Sequence, residues 1–501
     1  MGSDDGDSRI RSLATIARGG SLYTIGKVVS DAGEFLLHLL VSRILGAGAY
    51  GMFAYGKTLA FTALLLTNLG SDTSIVRYLP QYETSPSKRR FLLGLAWITS
   101  VAGGLAVAGS LFVFAPSIAA LTLDEPGFVG VLRLFAAVLF VDTVARLLYA
   151  TFRALEVIEY EVATRRVLKP LLRVLAVAIA LAAGASVYGV VLAMLAAGVV
   201  SLSVAGYVFV TRTSIRPTLR SPYATRRTVR EYYGYSLPLT AKEVGTVMQS
   251  RVDVLMVGLF LSSAAVGIYN VAVLVAGVLY VPLLAANQLF APVASRLYSQ
   301  NDRDELAAVY TAVTRWILSA SLALAVVLVI LRRELLLLFG PEFTAGTTVL
   351  TLFVLAQLWN AATGPSGELL MMTDHQYVVM ANEWVFGLVN VVLNYAFILR
   401  YGIVGAALAT ASVLAVRNLV KLAELWRYER MQPYSRRIYK PAVAAAVAGL
   451  GVWVIRSWTG PTTGLLLGAV IGLTLYVVTL VSLGVEPVDR RLYALVTNGT
   501  R

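Results

Sequence analysis

The sequence predicts an all-α integral membrane protein of about fourteen transmembrane helices. Two six-helix lobes in a parallel pseudo-twofold repeat are followed by two extra C-terminal helices. Three observations carry this expectation. The 501 residues are 58% hydrophobic and 14% charged, with a mean hydropathy of +0.74, whereas soluble domains carry about 45–50% apolar and about 25% charged residues. The apolar residues gather into runs close to the ~20 residues that cross the hydrocarbon of a bilayer. The basic residues fall mainly in the gaps between those runs, which is the footprint of membrane topology rather than of a nucleic-acid surface.

Fourteen runs can be read in order, at approximately 20–43, 50–70, 91–114, 129–150, 168–185, 188–210, 237–259, 264–288, 312–331, 346–368, 377–398, 402–424, 440–457 and 463–484. The fourth run, and the region 291–311 after the eighth, carry the weakest apolar signal. With both termini placed in the cytoplasm, inner gaps collect clusters such as Lys88, Arg89 and Arg90, or Arg153, Arg165, Arg166 and Lys169. The outer gaps hold only Arg43, Arg332, Arg333, Arg400 and Arg456. Short cytoplasmic loops attract Lys and Arg, so an even number of crossings with both ends inside fits the charge pattern. The expected location is the cell membrane, as a multi-pass protein.

The organisation follows from these runs. Residues 1–18 are a cytoplasmic N-terminal tail. They are acidic, then basic, and lack the pattern of a cleavable signal peptide. Residues 19–211 form the N-lobe, 212–236 a basic cytoplasmic linker with Pro217 and Pro222, and 237–425 the C-lobe. Residues 426–439 are a cytoplasmic loop, 440–484 the last two spans, and 485–501 a cytoplasmic tail. The linker is expected to be the hinge between the lobes. A faint repeat supports two lobes: SRILGAGAYGMFAY and VGLFLSSAAVGIYN align Gly51 with Gly267 and Phe53 with Tyr269. Lobes of six helices share one orientation, and in such transporters the substrate path lies between the halves.

Several chemistries are excluded or disfavoured. There are no cysteines and only two histidines, His38 and His375, so neither a disulfide framework nor a thiolate or histidine-rich metal site is expected. No P-loop, dinucleotide fingerprint or nucleophile elbow is present. No catalytic residue, cofactor or metal is expected, and a coupling ion is left open. Outer loops such as GASVYG are too short to hold a catalytic domain.

Charges inside the runs are the candidates for function, because each ionised group at a helix centre costs about 2.5–3.5 kcal/mol. Lys27, Asp31, Glu34 and His38 recur at spacings of three and four, on one face of the first span. Lys57 lies in the second span. Lys242, Glu243, Gln249, Arg251 and Asp253 mark the seventh, which the repeat matches to the first. The functional reading is a polar cavity wall for an anionic head group or ion. The alternative is a structural ion-pair ladder, for example Lys27 with Asp31 or Arg251 with Asp253. Asp142 and Arg146, one turn apart, are expected to pair. Gln357, Asn360, Asn382, Asn390 and Asn394 read as packing contacts between helices. Glu383 stands out among them, as a further site candidate. His375 reads as solvated, and Asp124 with Glu125 as a bland pair in an outer loop.

The segment GGSLYTIGKVVSDAGEFLLHLLVSRILGAGAYGMFAY resembles the opening of the polysaccharide transporter family. Its members are flippases for lipid-linked oligosaccharides within the multidrug/oligosaccharidyl-lipid/polysaccharide superfamily. Leu45, Gly46, Tyr50, Gly51 and Phe53 fill the pattern of its first outer turn. Leu69, Gly70, Arg77, Tyr78 and Pro80 fill the next block, and Asp253, Gly267, Tyr269 and Ala272 a later one. PVASRLYSQNDRDELAAVY at 292–310 is similar to its cytoplasmic helix junction. The resemblance runs from about residue 18 to 430. It implies a central cavity with alternating access, and movement of a polyprenyl- or dolichyl-linked glycan from the inner to the outer leaflet. It implies that Lys27, Lys57, Lys242 and Arg251 would neutralise phosphates. Asp31 and Glu34 depart from a purely cationic site. The partners implied are lipid-linked oligosaccharide, membrane lipids, and separate glycosyltransferases or a polymerase or ligase of the same pathway, with no nucleic acid. A drug/cation antiporter or peptidoglycan-precursor flippase of the same superfamily, a membrane-embedded glycan ligase or polymerase, and a non-transporting scaffold are the competing readings.

Overall fold

The computed structural model describes residues 4–484, with side-chain surroundings from Ile25 onward apart from positions 239, 241–250, 436 and 462. The expected cytoplasmic tail 485–501 lies outside the described residues. The described chain is helical, as a sequence in lipid must be when its backbone groups can only satisfy one another. Ten of its helices are long and apolar enough to cross a membrane. The chain divides into two compact units, Met1–Gly267 and Ile268–Arg501.

The first unit opens with α1 (Asp4–Leu64), whose described membrane stretch Ile25–Leu64 has 40 residues. A straight helix of that size would be about 60 Å long, twice the hydrocarbon thickness. It does not run straight. Gly46 breaks the helix at φ 77° and ψ 176°, a backbone that only glycine adopts freely. The two arms fold back on each other, as the contact of Lys57 with Glu34 shows: these residues lie about equally far on either side of Gly46. The turn read as the first outer loop is therefore a glycine kink.

Then come α2 (Ser71–Gln81), α3 (Pro86–Val113), α4 (Ala115–Leu121) and α5 (Phe128–Ala154). Helix α5 packs against α1, α2, α3 and α8 (Val187–Arg212), and so forms the centre of the unit. Between α5 and α8 the chain makes one continuous helical path of α6 (Ile158–Glu161), a π-helical segment Val162–Leu168, and α7 (Lys169–Ala182). Helix α9 (Arg226–Ser250) precedes α10 (Val252–Phe260) and α11 (Ser263–Ala276). The run expected as one span at 237–259 is thus two helices, interrupted at Arg251 (φ −139°).

The linker 212–236 is docked on this unit. The Thr218 amide donates to the Arg90 carbonyl at 3.1 Å, the Ser221 hydroxyl to the Ser87 carbonyl at 3.3 Å, and Tyr232 is buried among side chains of α2, α3 and α5. The glycines matched by the internal repeat meet in space. A Cβ on Gly51 would stand 3.1 Å from the Gly267 nitrogen, and one on Gly267 3.2 Å from the Gly51 nitrogen. Glycine is required at both because the two helix backbones touch. Glu125, expected to be a bland loop acid, accepts from the Ser263 amide at 3.0 Å and from its hydroxyl at 2.6 Å. It caps the start of α11.

The second unit contains α12 (Val281–Ser299) and α13 (Arg303–Ile330), joined by a tight break capped by Asp302, whose carboxylate accepts from the Glu305 amide at 3.2 Å. This is the region 291–311 that the apolar pattern reads poorly. Next come α14 (Arg332–Phe339), α15 (Thr347–Thr363), α16 (Ser366–Met372) and α17 (Gln376–Glu429), and then α18 (Tyr439–Trp458) and α19 (Pro461–Ser482). Helix α17 is a second folded-back pair, 54 residues long with its break at Gly402 (φ 58°). Helices α18 and α19 pack on each other and on α13. Leu450 and Leu466 on them are each 66% exposed, which lipid rather than water explains.

Candidate functional site

The first-span face splits into two parts. Near its start, Lys27 donates to Asp31 at 2.7 Å, with the carboxylate side chain 62% exposed. This is the local pair that the spacing allows. Two turns on, Glu34 and His38 meet the return arm of α1. Lys57 Nζ contacts Glu34 and lies 3.0 Å from His38 Nε2, while His38 Nδ1 lies 2.8 Å from the Tyr50 hydroxyl. His38 is buried, with the rings of Tyr50 and Phe53 edge-on beside it. The hairpin at Gly46 makes this possible by laying residues 50–57 beside residues 34–38.

Glu34 and Lys57 form one wall of a cavity of about 740 Å³ inside the first unit. The other walls come from α2, α5, the π-helical segment and α7. Among the described residues, seven cations line it: Lys57, Arg146, Arg153, Arg165, Arg166, Lys169 and Arg173; three carboxylates do so: Glu34, Asp72 and Asp142. The pairing differs from the one expected for α5. Asp142 is held by Lys169 at 2.8 Å and Arg173 at 2.9 Å, and Arg146 by Asp72 at 2.6 Å. The two side chains on α5 are drawn to opposite neighbours, α7 and α2, instead of to each other. Glu161, with no exposed side-chain surface, holds Arg165 at 2.8 Å and Arg153 at 3.3 Å. Wider π-helical turns are rare and recur at functional sites, and this one carries Arg165 and Arg166 into the wall.

Arg153, Arg165, Arg166 and Lys169 therefore line the cavity. Sequence reading missed them because the positive-inside rule already accounted for them. A signal was available: Arg166, Lys169 and Arg173 recur at spacings of three and four, on one helical face.

The remaining candidates lie elsewhere. The side chains of Lys242, Glu243 and Gln249 lie outside the described residues. Arg251, at the break before α10, does not line the cavity but stands within electrostatic reach of His38 and Lys57. Asp253 is buried in the first turn of α10, where its carboxylate accepts from the Val254 amide at 2.8 Å. Glu383 belongs to the second unit, 3.5 Å from Arg417 and 3.4 Å from Lys421 on the other arm of α17. Around it, Asn418 donates to Asn360 at 3.0 Å and Asn382 to Glu424 at 2.8 Å, amide contacts of the kind that join helices in membranes. His375 stacks on Tyr428 with ring centroids 4.5 Å apart and keeps 24% of its side chain exposed.

Comparisons with known proteins find likenesses in sequence and in fold. A family model described as polysaccharide biosynthesis protein matches residues 16–298, and a second, MatE, matches residues 238–396. The probable low-salt glycan biosynthesis flippase Agl15 of Haloferax volcanii is 26% identical over 209 residues, which span 42% of this chain and 44% of Agl15. The probable flippase AglR of the same organism is 24% identical over 439 residues, 82% of this chain and 85% of AglR. Among solved structures, the lipid II flippase MurJ in an inward closed conformation superposes with a TM-score of 0.69 at 13% identity, covering 91% of this chain and 97% of MurJ. An inward-facing multidrug resistance MATE transporter gives 0.63 at 16% identity, covering 84% and 95%.

Proposed function

Because this chain belongs to the polysaccharide biosynthesis protein family, matched over more than half its length, we propose that it is a flippase for a lipid-linked oligosaccharide. It is a multi-pass membrane transporter and not an enzyme. In this reading a glycan on a polyprenyl- or dolichyl-linked phosphate moves from the cytoplasmic to the outer leaflet, for surface polysaccharide or glycoprotein assembly. Fourteen crossings, two six-helix lobes, cytoplasmic termini and alternating access complete the proposal.

The observation that supports it is the charge of the cavity in the first unit: among the described residues that line it, seven cations stand against three carboxylates. So large an excess inside apolar helices is costly unless an anion is expected there. A phosphate-bearing head group is such an anion, and arginines are the side chains best shaped to hold it. Lys169 and Arg173 are already steadied by Asp142, and Arg153 and Arg165 by Glu161. Their geometry is set before a ligand arrives, which lowers the ordering cost of binding. Glu34, the acid of this α1 face that lines the cavity, is the group for sugar hydroxyls or a coupling ion, whereas Asp31 pairs with Lys27.

The test is glycan accounting in cells lacking the gene, complemented with the wild-type chain or with Arg166→Ala/Arg173→Ala. Complete lipid-linked precursor trapped on the cytoplasmic face, measured with an impermeant label, is the expected result for the deletion and for the variant. Complete precursor on the outer face, unattached, would overturn flipping in favour of a ligase or polymerase. Normal glycan and normal precursor would favour the antiporter.

A further inference from the structure

The second unit carries a polar cluster of its own, built where α15, α16 and the two arms of α17 meet. The break at Gly402 folds α17 back, which sets Asn382 and Glu383 of the first arm against Arg417, Lys421 and Glu424 of the second. Asn382 donates to both oxygens of Glu424, at 2.9 and 2.8 Å. Glu383 stands 3.5 Å from Arg417 and 3.4 Å from Lys421. Helix α15 is tied to the second arm twice: Trp359 Nε1 donates to the Ala415 carbonyl at 3.1 Å, and Asn418 to Asn360 at 3.0 Å. Helix α16 closes in through Gly367, where a Cβ would stand 3.4 Å from Lys421 Nζ. Tyr280, 41% exposed, lies within electrostatic reach of Arg417, Glu383 and Glu368, the acid in the first turn of α16.

Helices can be joined in lipid by amides alone. Five charged side chains inside these apolar runs exceed what joining needs, and each is costly away from water or a partner. Glu383 and Glu424 are half-buried, so the cluster reaches the surface of the unit. Its composition points to the ligand. Among the described residues of the cluster, the carboxylates of Glu368, Glu383 and Glu424 outnumber the two cations, the reverse of the first cavity, so a second phosphate does not fit. A metal ion does not fit either. Arg417 and Lys421 stand among the acids, and no three acidic or histidine side chains among the described residues are grouped to hold one. A neutral ligand remains, rich in groups that donate and accept at once, which is the property of a hydroxyl. Carboxylates accept from hydroxyls, Arg417 and Lys421 donate to them, and the amide of Asn382 can do both. Tyr280 adds an aromatic face with a polar tip.

We propose that this wall binds the sugar rings of the lipid-linked glycan through their hydroxyls, while the cationic cavity of the first unit takes the phosphate. The inference rests on the flippase reading and adds to it a division of labour: one site grips the carrier, the other reads the sugar.

The experiment is native mass spectrometry of the purified full-length chain in detergent. The probe is the lipid-linked oligosaccharide pool extracted from cells lacking the gene, offered intact or with its sugar rings opened by periodate and borohydride. Opening spares the phosphate and the lipid, so the ratio of the two retentions reads the sugar rings alone. The wild type should retain the intact pool about tenfold better, the worth of one hydrogen bond to a charged group. Glu383→Gln and Glu424→Gln should each cut that preference about fivefold, the difference between a charge-assisted and a neutral hydrogen bond. Both should hold the opened pool at the wild-type level, which shows that they are folded. Arg173→Gln, in the first cavity, should weaken retention of both pools alike and keep the preference; a preference lost there would overturn the division of labour. If both wall variants keep the wild-type preference, the inference falls and the flippase reading stands. If the wild type retains the two pools equally, the inference falls and the carrier reading is untouched. If the wild type retains neither pool, both fall. Competition by an equal concentration of the released free glycan would overturn the inference in favour of a free-sugar site.

Discussion

Replacing Asp142 by alanine should destabilise the protein by about 3 kcal/mol, the lower end of the range for breaking a buried ion pair. The carboxylate stands 2.8 Å from Lys169 and 2.9 Å from Arg173, and all three side chains are at most 22% exposed. Two unit charges about 4 Å apart attract by about 4 kcal/mol at an effective dielectric constant near 20. The cavity admits water on one side, which argues for the lower figure. The loss has a specific origin: alanine strands two cations, and these also repel each other. Removing one cation as well should recover part of it. The cycle through Arg173→Ala and the double variant should show a coupling of about 1–3 kcal/mol. The assay is reversible unfolding in mixed micelles titrated with sodium dodecyl sulfate. A cost below about 0.5 kcal/mol, the range of an ordinary surface substitution, would refute the reasoning. The cavity would then be flooded, and its ion pairs would not set the geometry of its cations.

Three further outcomes are expected. Gly51→Ala and Gly267→Ala would place Cβ atoms 1.7 Å from the Ser263 carbonyl oxygen and 2.3 Å from that of Ala47; each should cost about 3 kcal/mol or more, read as loss of a monodisperse peak after solubilisation. Tyr50→Phe removes the hydroxyl 2.8 Å from His38 Nδ1 while keeping the ring, and should cost about 1 kcal/mol with surface glycan unchanged in complemented cells. Glu125→Ala removes both acceptors at the start of α11 and should cost about 1–2 kcal/mol, as loss of a helix cap does. Because the chain has no cysteine, an added Ala265→Cys should label faster with an impermeant maleimide in that background than alone.

The ion pairs show where sequence reading reaches its limit. Lys27 and Asp31 were legible, because their contact is set by helical spacing alone. The Glu34–Lys57 contact was half legible: the shared face of α1 showed the acid, and only the kink at Gly46 supplied the base. Asp142 was misread. Its neighbour at the fourth position, Arg146, is a plausible local partner, but α7 and α2 offer arrangements that burial makes stronger. Arg165 carried no distinguishing mark in the sequence, since basic residues at a helix end satisfy topology equally well, and Arg166 carried only its helical spacing to Lys169 and Arg173. The asparagines of α15 and α17 were read correctly as joints between helices, because an amide in lipid has few other uses.

The sequence by itself determined that this chain lives in a membrane and that it crosses many times. Those properties are local: hydropathy acts residue by residue over about twenty positions. The tertiary structure alone decided which charges surround the cavity and which are bound elsewhere. The lysine and arginine partners of Glu34, Asp72 and Asp142 lie 23 to 74 positions away along the chain. A charge inside a bilayer is tolerated only against partners or water, and which helix face meets them is fixed by packing between elements that no local pattern records.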